Sequence, residues 1–397
     1  MRGAPARRMT VPPRPTLSRA LLIERLPGYV GQAALLAVVG WLASRGVANF
    51  QANARALNLS AGFGFLHAQA GFQIAQSLIP FGPASTYLDA IVAAALNTLL
   101  VVVLASVVGT LIGLGIAFGR LAPDGLVQRA SSGYVEVFRN IPLLLQILFW
   151  YFSAIALLPG VGDSIAFGAV LLNNRGLFLP RMQVTPAGAW MIVAALVAFV
   201  VLFVLARRQW PAKPITRPRG RALVVVVLIA LCIGSLALTN AVTLDRPHVD
   251  GFDVTGGVAI LPELMALTLG LSIYNGTFLA EIFRAGILSV PRGQSEAAAT
   301  VGLHGVRAAL LITLPQALRV ALPAAGGQYQ TLAKASSLAA AIGYPDIMQI
   351  VGGTVASQTS QALEAMALVV LSYAAINLAI ALLVGLANRG LLAREGR

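Results

Sequence analysis

The sequence predicts an all-α polytopic membrane protein with about eight transmembrane helices. Apolar residues make up 58% of the 397 residues, charged residues make up only 11%, and the mean hydropathy is +0.82. A soluble domain, by comparison, carries about 25% charged residues. The hydrophobic runs approach the roughly 20 residues needed to cross the hydrocarbon core, and residues 101–119 and 222–239 contain no charge at all.

Eight apolar stretches account for this prediction. They lie near residues 29–44, 91–118, 141–159, 188–206, 222–240, 260–282, 323–343 and 363–388. Between them, Ala61–Phe81 is apolar but broken by glycines, so it is predicted to be interfacial or packed against the spans. Asn173–Pro180 is predicted to be a short polar-aromatic loop, and the proline-rich Arg207–Arg221 an exposed basic linker.

The positive charges predict the orientation of the spans. With a cytoplasmic N-terminus, 22 of the 28 Lys and Arg residues fall on the cytoplasmic side, five fall outside, and Lys334 lies within a span. Cytoplasmic loops carry such an excess, so both termini are predicted to be cytoplasmic. The same clustering between spans explains the net charge of +14 without a nucleic-acid partner.

The residues that catalysis or metal binding would need are missing from the sequence. Cys232 is the single cysteine, and His67, His248 and His304 show no ligand spacing. There is no G-x-x-x-x-G-K-[ST] loop, nucleophile elbow or H-E-x-x-H helix. We therefore expect no catalytic residue, metal or cofactor in this chain, and any work it does must draw on a gradient or a partner.

A charged, helix-prone segment, "QSEAAATVGLHGVRAALLITLP" at Gln294–Pro315, interrupts the apolar chain between the sixth and seventh spans. Ser295 is predicted to cap a helix starting at Glu296, whose carboxylate suits the positive end of the helix dipole. Three alanines follow, which favour a helix and allow another surface to approach closely. Gly302 is predicted to end or bend this helix.

A second short helix is predicted after Gly302. Its apolar residues stand at i, i+3, i+7 and i+11: Leu303, Val306, Leu310 and Leu314. The two helices would lie along the inner face of the membrane, where they suit docking into a groove of a soluble partner. The same residues are equally compatible with an interfacial helix that only covers the edge of the helical bundle.

The pattern in this segment resembles the EAA signature of ABC-importer permeases. The matching residues are Glu296, Ala297, Ala298, Gly302, Ile312, Leu314 and Pro315. In that family the segment is the coupling helix, which inserts into the ATP-binding subunit. The resemblance therefore implies a role in ATPase coupling for these residues.

Longer stretches of the sequence narrow the resemblance to one branch of these permeases. Residues 280–294, 314–343 and 135–152 ("VEVFRNIPLLLQILFWYF") resemble the polar amino-acid branch of these permeases. The segment after the first span and the insert around 160–258 are similar to the long permease subunit of the general L-amino-acid transporters of Gram-negative bacteria. The similarity extends over most of the chain from about residue 29 onward.

The resemblance implies a MetI-like permease core and divides the chain accordingly. The implied parts are a basic cytoplasmic segment (1–28), a first span with a periplasmic segment (29–90), and a permease domain (91–397) with a central insert at about 160–258 and a cytoplasmic coupling loop at 283–322.

The resemblance further implies a permease subunit of an ATP-driven L-amino-acid importer in the bacterial inner membrane. A separate ATP-binding cassette subunit would hydrolyse ATP, a related second permease would complete a heterodimeric pathway, and a periplasmic binding protein would deliver the amino acid. The rival interpretation is a gradient-driven transporter or channel that works without an ATPase. It predicts inverted repeats and ion ligands in broken spans, of which the sequence gives little sign.

Polar residues inside the predicted spans are candidates for function because they are costly in a bilayer. Glu281 and Arg284, at i and i+3, are predicted to form a structural pair on one helix face. Lys334 is predicted either to snorkel to the interface or to line the substrate pathway, where its charge would suit an amino acid's α-carboxylate. Four further pathway candidates are Ser336, Ser337, Asn97 and Gln328, with interhelical hydrogen bonding as the alternative for the last two.

Overall fold

The fold is described from a computed structural model that places residues 19–56, 62–185 and 242–393. Helices dominate the described residues, as the composition predicts. They are α1 (Arg19–Ala56), α2 (Tyr87–Leu121), α3 (Gly125–Asn140), α4 (Leu143–Leu157), α5 (Pro262–Leu288), α6 (Arg292–Thr300), α7 (Gly305–Ala308), α8 (Leu314–Ala335), α9 (Ala356–Thr359) and α10 (Ala362–Ala393).

Within these residues, five helical stretches are long and apolar enough to cross a membrane. They are Gly28–Asn49, Tyr87–Leu121, Pro262–Leu288, Ala309–Ile342 and Ala362–Gly390, and the bent pair α3–α4 makes a sixth if it counts as one span. These stretches coincide with six of the predicted spans. The predictions at 188–206 and 222–240, and the basic linker between them, lie outside the described residues. The helical membrane fold is thus confirmed, whereas the total of eight spans stays a prediction.

Helix α5 lies at the centre of the bundle and packs against α2, α4 and α8. Glycines let α2 and α5 approach closely. A methyl group at Gly113 would lie 2.7 Å from Leu279 Cβ, and one at Gly276 would lie 2.8 Å from Ile112 Cγ2. Lipid tails are as apolar as leucine, so membrane helices associate through close van der Waals packing of this kind. The contact between α2 and α5 therefore depends on glycine at both positions.

The third predicted span is a bent pair of helices. Helices α3 and α4 meet at 99° around Ile141 and Pro142. Proline donates no backbone hydrogen bond and disfavours the helical conformation in the residue before it, so the helix breaks there. Gln146 braces the corner because its Nε2 donates to the carbonyls of Phe138 (2.8 Å) and Ile141 (3.0 Å). The prediction at 141–159 located α4 but missed α3.

Eight short strands form a β-subdomain, which comprises residues 165–184 and 242–260. The strands are β1 (Ile165–Phe167), β2 (Val170–Asn173), β3 (Gly176–Leu179), β4 (Arg181–Val184), β5 (Val242–Asp245), β6 (His248–Asp250), β7 (Asp253–Thr255) and β8 (Val258–Ile260). Strands β1, β2, β3 and β8 form one antiparallel sheet, while β4 pairs with β5 and β6 pairs with β7.

The sequence pattern did not predict this β-subdomain. The loop predicted at Asn173–Pro180 is wrong, because Gly176–Leu179 is strand β3. Strand β3 pairs with β8, with Leu177 opposite Ile260, so its conformation depends on a distant part of the chain. Alternation of apolar and polar residues over only three or four positions is too short to predict a strand.

The β-subdomain lies at one end of the helical bundle. Strand β1 follows α4 after a short turn, and β8 ends one residue before α5 begins. We call this end of the bundle the β end. The opposite end, where α5 passes into α6, is called the EAA end.

Residues 62–86 form an irregular segment that packs onto the β end. Four of its half-buried side chains pack against the buried core: Phe65, Phe72, Ile74 and Phe81. Asn97 of α2 donates from Nδ2 to the carbonyl of Gln76 at 2.7 Å, and Glu364 of α10 accepts from the backbone N–H of Gly62 at 2.9 Å. Of the two arrangements predicted for this segment, the structure shows the one packed against the spans.

Candidate functional site

The EAA segment, residues 289–315, connects α5 to α8. Pro291 stands at the N-cap of α6 with φ −59° and ψ 138°. Ser295, the predicted cap, lies inside the helix instead, where its Oγ donates to the carbonyl of Arg292 at 2.7 Å. The predicted helix start is therefore wrong. Proline begins the helix earlier because its φ is fixed and it has no N–H to satisfy.

A Schellman motif ends α6 at Gly302. The N–H of Gly302 donates to the carbonyl of Ala299 at 3.1 Å, and the N–H of Leu303 donates to that of Ala298 at 2.9 Å. This pattern needs a residue in the left-handed conformation, and Gly302 has φ +79°. No atom lies within 4 Å of where its Cβ would stand, so the backbone conformation alone favours glycine here.

The predicted second short helix along the membrane face is wrong. Helix α7 passes through a π turn (Ala309–Thr313) directly into α8, so helical structure runs from Gly305 to Ala335. The N–H of Leu314 donates to the carbonyl of Ala309, which is the i+5 spacing of a π turn. Pro315 follows directly after the π turn, so a residue without an N–H lies at the point where the wider turn returns to α-helix.

The predicted beginning of the seventh span at residue 323 is also wrong. Pro323 lies inside α8, which continues through it. The helix ends at Ala335 and is followed by a 3-10 turn at Ser336–Ile342. Prolines are tolerated inside membrane helices because neighbouring groups satisfy the freed carbonyl, so this proline gave a misleading boundary.

The EAA segment presents an exposed surface of mixed character. Glu296 and Ala297 are exposed on α6, whereas Ala298 is only 4% exposed. Large apolar side chains are exposed beside them: Val301, Leu310 and Leu311. Because apolar groups bordered by charged residues are typical of protein contacts, this surface is suited to receive a soluble partner.

Helix α6 is held against the beginning of α8. It packs on the π turn, and Nε2 of Gln316 donates to Oε1 of Gln294 at 3.3 Å. Three residues join α6 to α5 on its other side. A displacement of α6 would therefore act on both α5 and α8.

Glu281 pairs with a different arginine from the one predicted. Its Oε1 accepts from Nη1 of Arg120, which lies in the last turn of α2. The predicted partner, Arg284, has a buried Nε without a hydrogen-bond partner. The prediction is wrong because α5 packs against α2 here, which brings together two residues 161 positions apart.

Lys334, Ser336 and Ser337 lie where α8 ends. Ser336 is buried and donates from Oγ to the carbonyl of Ala333 at 2.8 Å, and Ser337 donates to that of Lys334 at 2.8 Å. Both hydroxyls thus bond back to their own helix end. Lys334 is exposed, so of these three residues it is the one available to a ligand.

The face of α8 that carries Lys334 differs from the exposed face of α10. Exposed positions recur along α8 with helical spacing: Val320, Ala324, Gly327, Thr331 and Lys334. The exposed face of α10 carries large apolar side chains among alanines and glycines, and up to residue 387 it includes no charged residue. The large side chains include Val370, Leu371, Leu378, Leu382, Leu383 and Leu386. A lysine is costly against lipid, so the α10 face suits lipid and the α8 face suits water or protein.

The other two pathway candidates are not brought beside Lys334. Asn97 is fully buried, and its Nδ2 donates to the carbonyls of Gln76 and Pro345 (3.0 Å), so it joins α2 to two non-helical segments rather than to another helix. Gln328 is half-buried on α8. It lies six residues before Lys334, so the two side chains are roughly 120° apart around the helix axis.

Sequence reasoning missed a buried carboxylate, Asp346, in the chain between α8 and α10. Asp346 is 1% exposed and accepts from the N–H of Gln349 at 2.8 Å and from the hydroxyl of Tyr373 at 2.9 Å. The N–H of the next residue, Ile347, donates to Thr98 Oγ1 at 3.1 Å. These contacts join α2, α10 and the chain between α8 and α9. The available signal was an aspartate directly after a proline and before an apolar helix, which is the pattern of an N-cap.

Comparison with known proteins identifies relatives along most of the chain. Residues 213–392 match the model of the binding-protein-dependent transport system inner membrane component. The general L-amino acid transport system permease protein AapQ of Rhizobium johnstonii is 41% identical over 336 residues, which cover 83% of this chain and 82% of that protein. The glutamate/glutamine/aspartate/asparagine transport system permease protein BztB of Rhodobacter capsulatus is 35% identical over 395 residues, 91% of each chain.

A third relative agrees with these two. YhdX of Escherichia coli, a permease protein assigned to an amino-acid ABC transporter, is 41% identical over 90% of this chain and 91% of its own length. Members of this family are multi-pass transport subunits of the inner membrane rather than enzymes, and the family implies ATPase and binding-protein partners. Identity at this level over most of both chains establishes that this chain belongs to the amino-acid ABC transporter permeases.

Proposed function

We propose that this chain is one membrane half of an ATP-driven importer of L-amino acids. The observation that carries this proposal is its 41% identity, over 83% of its length, with a permease named for general L-amino-acid transport. The exposed α6, with Glu296 and Ala297 on its surface, supports a docking role for the EAA segment. The ATPase subunit, rather than this chain, binds and hydrolyses ATP.

The EAA end faces the cytoplasm and the β end faces the periplasm. The EAA end is rich in arginine: Arg120, Arg284, Arg292, Arg307 and Arg319. The β-subdomain carries acidic residues as well as basic ones: Asp245, Asp250 and Asp253 beside Arg175, Arg181 and Arg246. An excess of positive charge is characteristic of the cytoplasmic side, which supports this orientation and cytoplasmic termini.

A second, related permease covers the exposed face of α8. Small residues on that face, Ala324 and Gly327, leave room for another helix to approach, and Thr331 and Lys334 are poorly suited to lipid. Lys334 then lies between the two halves and faces the pathway. Its ammonium group binds the α-carboxylate that all L-amino acids share, which suits a transporter of broad specificity.

Transport follows an alternating-access cycle. A binding protein delivers the amino acid at the β end, and ATP-driven closure of the ATPase subunits displaces α6 at the EAA end. Because α6 is joined to both α5 and α8, the displacement moves the central helix and the helix that carries Lys334 together. The pathway closes on one side as it opens on the other.

The first test is copurification of the tagged chain with the products of neighbouring genes, followed by an ATPase assay. We expect the wild type to bring down an ATPase whose activity rises when a loaded binding protein is added. Glu296→Arg and Gly302→Val should abolish this rise, because the first reverses a charge on the exposed face of α6 and the second places a β-branched residue at the left-handed φ of +79° that ends that helix.

A matched control is Glu136→Arg, the same charge reversal at an exposed position of α3. It should leave both copurification and ATPase stimulation intact. If the wild type purified alone and moved substrate without ATP, the importer would be excluded and a gradient-driven transporter would take its place.

A further inference from the structure

The hairpin β6–β7 presents an aromatic side chain at its tip. Phe252 is 91% exposed and follows Gly251, which takes the left-handed conformation with φ +61°. Two carboxylates flank the turn, on Asp250 and Asp253, and both are exposed. Val249, on the strand leading to the turn, is exposed as well. The tip is therefore a small apolar projection with an acidic border.

The base of this hairpin is firmly held. Asp245 Oδ2 accepts from the N–H of Gly257 at 3.1 Å and from Nε2 of Gln183 at 3.1 Å. Gly256 has φ +77°, and a Cβ there would lie 2.8 Å from the carbonyl oxygen of Arg246. The chain is thus packed tightly where the hairpin begins and ends, so the tip projects from a fixed base.

A direct structural connection joins the hairpin to the EAA segment. Strand β8 begins directly after Gly256 and Gly257 and ends one residue before α5, while α5 ends three residues before α6. Helix α5 has 27 residues, which corresponds to about 40 Å. The hairpin and α6 therefore lie at opposite ends of a single continuous helix, so a partner held by the hairpin is anchored to the element that leads into α6.

We propose that the β6–β7 hairpin, with Phe252 at its tip, is a docking contact for the periplasmic amino-acid-binding protein. This inference rests on the proposed function, because it needs the β end to face the periplasm. A partner of this kind is required by the family, whose transport depends on a binding protein. Aromatic side chains that enter a partner's pocket contribute much of the binding energy at such contacts.

The charges near Phe252 favour a protein over a membrane surface as the occupant. Asp250 and Asp253 would be repelled by anionic lipid headgroups. Arg175 pairs with Asp253 at 3.2 Å, but both side chains stay more than half exposed, so the acidic border remains accessible. The hairpin therefore suits a partner that offers an apolar pocket with basic residues around it.

The first experiment uses the complete transporter in lipid nanodiscs and titrates the amino-acid-loaded binding protein. The concentration that gives half-maximal ATPase stimulation should rise by about tenfold or more for Phe252→Ser, because an anchoring side chain is lost. The maximal rate should stay unchanged. Phe252→Leu, which keeps an apolar tip, should restore most of the affinity.

Leu126→Ser is the matched control. Leu126 is 76% exposed on α3, at the opposite end of the bundle, so its loss removes a comparable apolar surface away from the hairpin. It should leave the half-maximal concentration unchanged. An unchanged value for Phe252→Ser in a correctly assembled transporter would overturn the docking role.

A second experiment separates the protein partner from lipid. In a Cys232→Ser background, Phe252→Cys is labelled with an environment-sensitive fluorophore in nanodiscs. Emission should shift to the blue only when the loaded binding protein is added. A blue shift in nanodiscs alone, with or without anionic lipid, would mean that the tip enters the membrane and would overturn the proposal.

The response of the wild type distinguishes a failure of the proposed function from a failure of the docking role. If no loaded binding protein stimulated the wild-type ATPase, the proposed function would be wrong and this inference with it. If the wild type were stimulated normally and Phe252→Ser behaved in the same way, only the docking role of the hairpin would be wrong.

Discussion

The hydroxyl of Tyr373 in α10 donates to Oδ2 of Asp346 at 2.9 Å, in a part of the bundle where the aspartate is 1% exposed. The other oxygen of the carboxylate accepts from the N–H of Gln349, at the beginning of the π-helical turn Met348–Val355. One carboxylate thus starts a helical turn and joins it to the last span. Intramembrane carboxylates are often functional sites, but both oxygens here are engaged in structural contacts.

Tyr373→Phe should destabilise the protein because it leaves one carboxylate oxygen buried without its donor. The expected cost is about 1–3 kcal/mol. It would appear as a lower midpoint of thermal unfolding for the detergent-solubilised transporter. Asp346→Ala should cost more, since it removes the cap of the turn as well.

Tyr87→Phe is the matched control for this prediction. Its hydroxyl bonds to Oε1 of Gln358 at 3.2 Å, so its removal breaks a bond to a neutral amide. The expected cost is smaller, about 1 kcal/mol. Equal effects of the two tyrosine substitutions would contradict the role assigned to Asp346.

Reversing the pair between Arg120 and Glu281 should be tolerated better than breaking it. Glu281→Arg alone places two cations together at the end of α2 and α5, and it should lower the unfolding midpoint and the yield of assembled transporter. Arg120→Glu combined with Glu281→Arg should recover part of both losses. Arg284→Glu combined with Glu281→Arg should not recover them; recovery there would mean that the local i, i+3 pair dominates.

The effect of a substitution at Gly302 should depend on whether the new residue tolerates the backbone conformation, rather than on the size of its side chain. Space around it is open, but its φ of +79° is tolerated by asparagine and strongly disfavoured for a β-branched residue. Gly302→Asn should therefore keep most of the ATPase stimulation, whereas Gly302→Val should lose it. Gly293→Val provides the comparison, because Gly293 also has open space but an ordinary φ.

Lys334→Gln should weaken transport by raising KM, since it removes the charge that binds the substrate carboxylate. The expected change is about tenfold or more, which corresponds to the loss of one charge-assisted hydrogen bond. Uptake into proteoliposomes measures it. Lys334→Arg should retain most of the affinity, and Ser337→Ala should have little effect because that hydroxyl is bonded to its own helix. A KM unchanged by Lys334→Gln would remove this residue from the pathway.

Several features could be read from the sequence because they depend on composition or on neighbouring residues. The low charge content and the apolar runs determine a helical membrane protein, since only structures that satisfy their own backbone hydrogen bonds are stable in lipid. The pattern from Glu296 to Pro315 identifies the EAA segment, and Gly302 ends its first helix as predicted. The glycine could be interpreted locally because a helix end is defined within about one turn.

Other features were decided by tertiary structure. Glu281 pairs with Arg120 rather than with Arg284 of its own helix, because the packing of α5 on α2 places the Arg120 guanidinium beside the Glu281 carboxylate. The β-subdomain depends on pairs of residues that are far apart in the sequence, such as Leu177 and Ile260. Its strands have only three or four residues, so the local sequence pattern does not predict them. Asp346 became structural because Gln349 and Tyr373 satisfy it. Local chemistry determined which elements and motifs this sequence contains, whereas the choice of partners for its buried polar groups depended on which helices pack together.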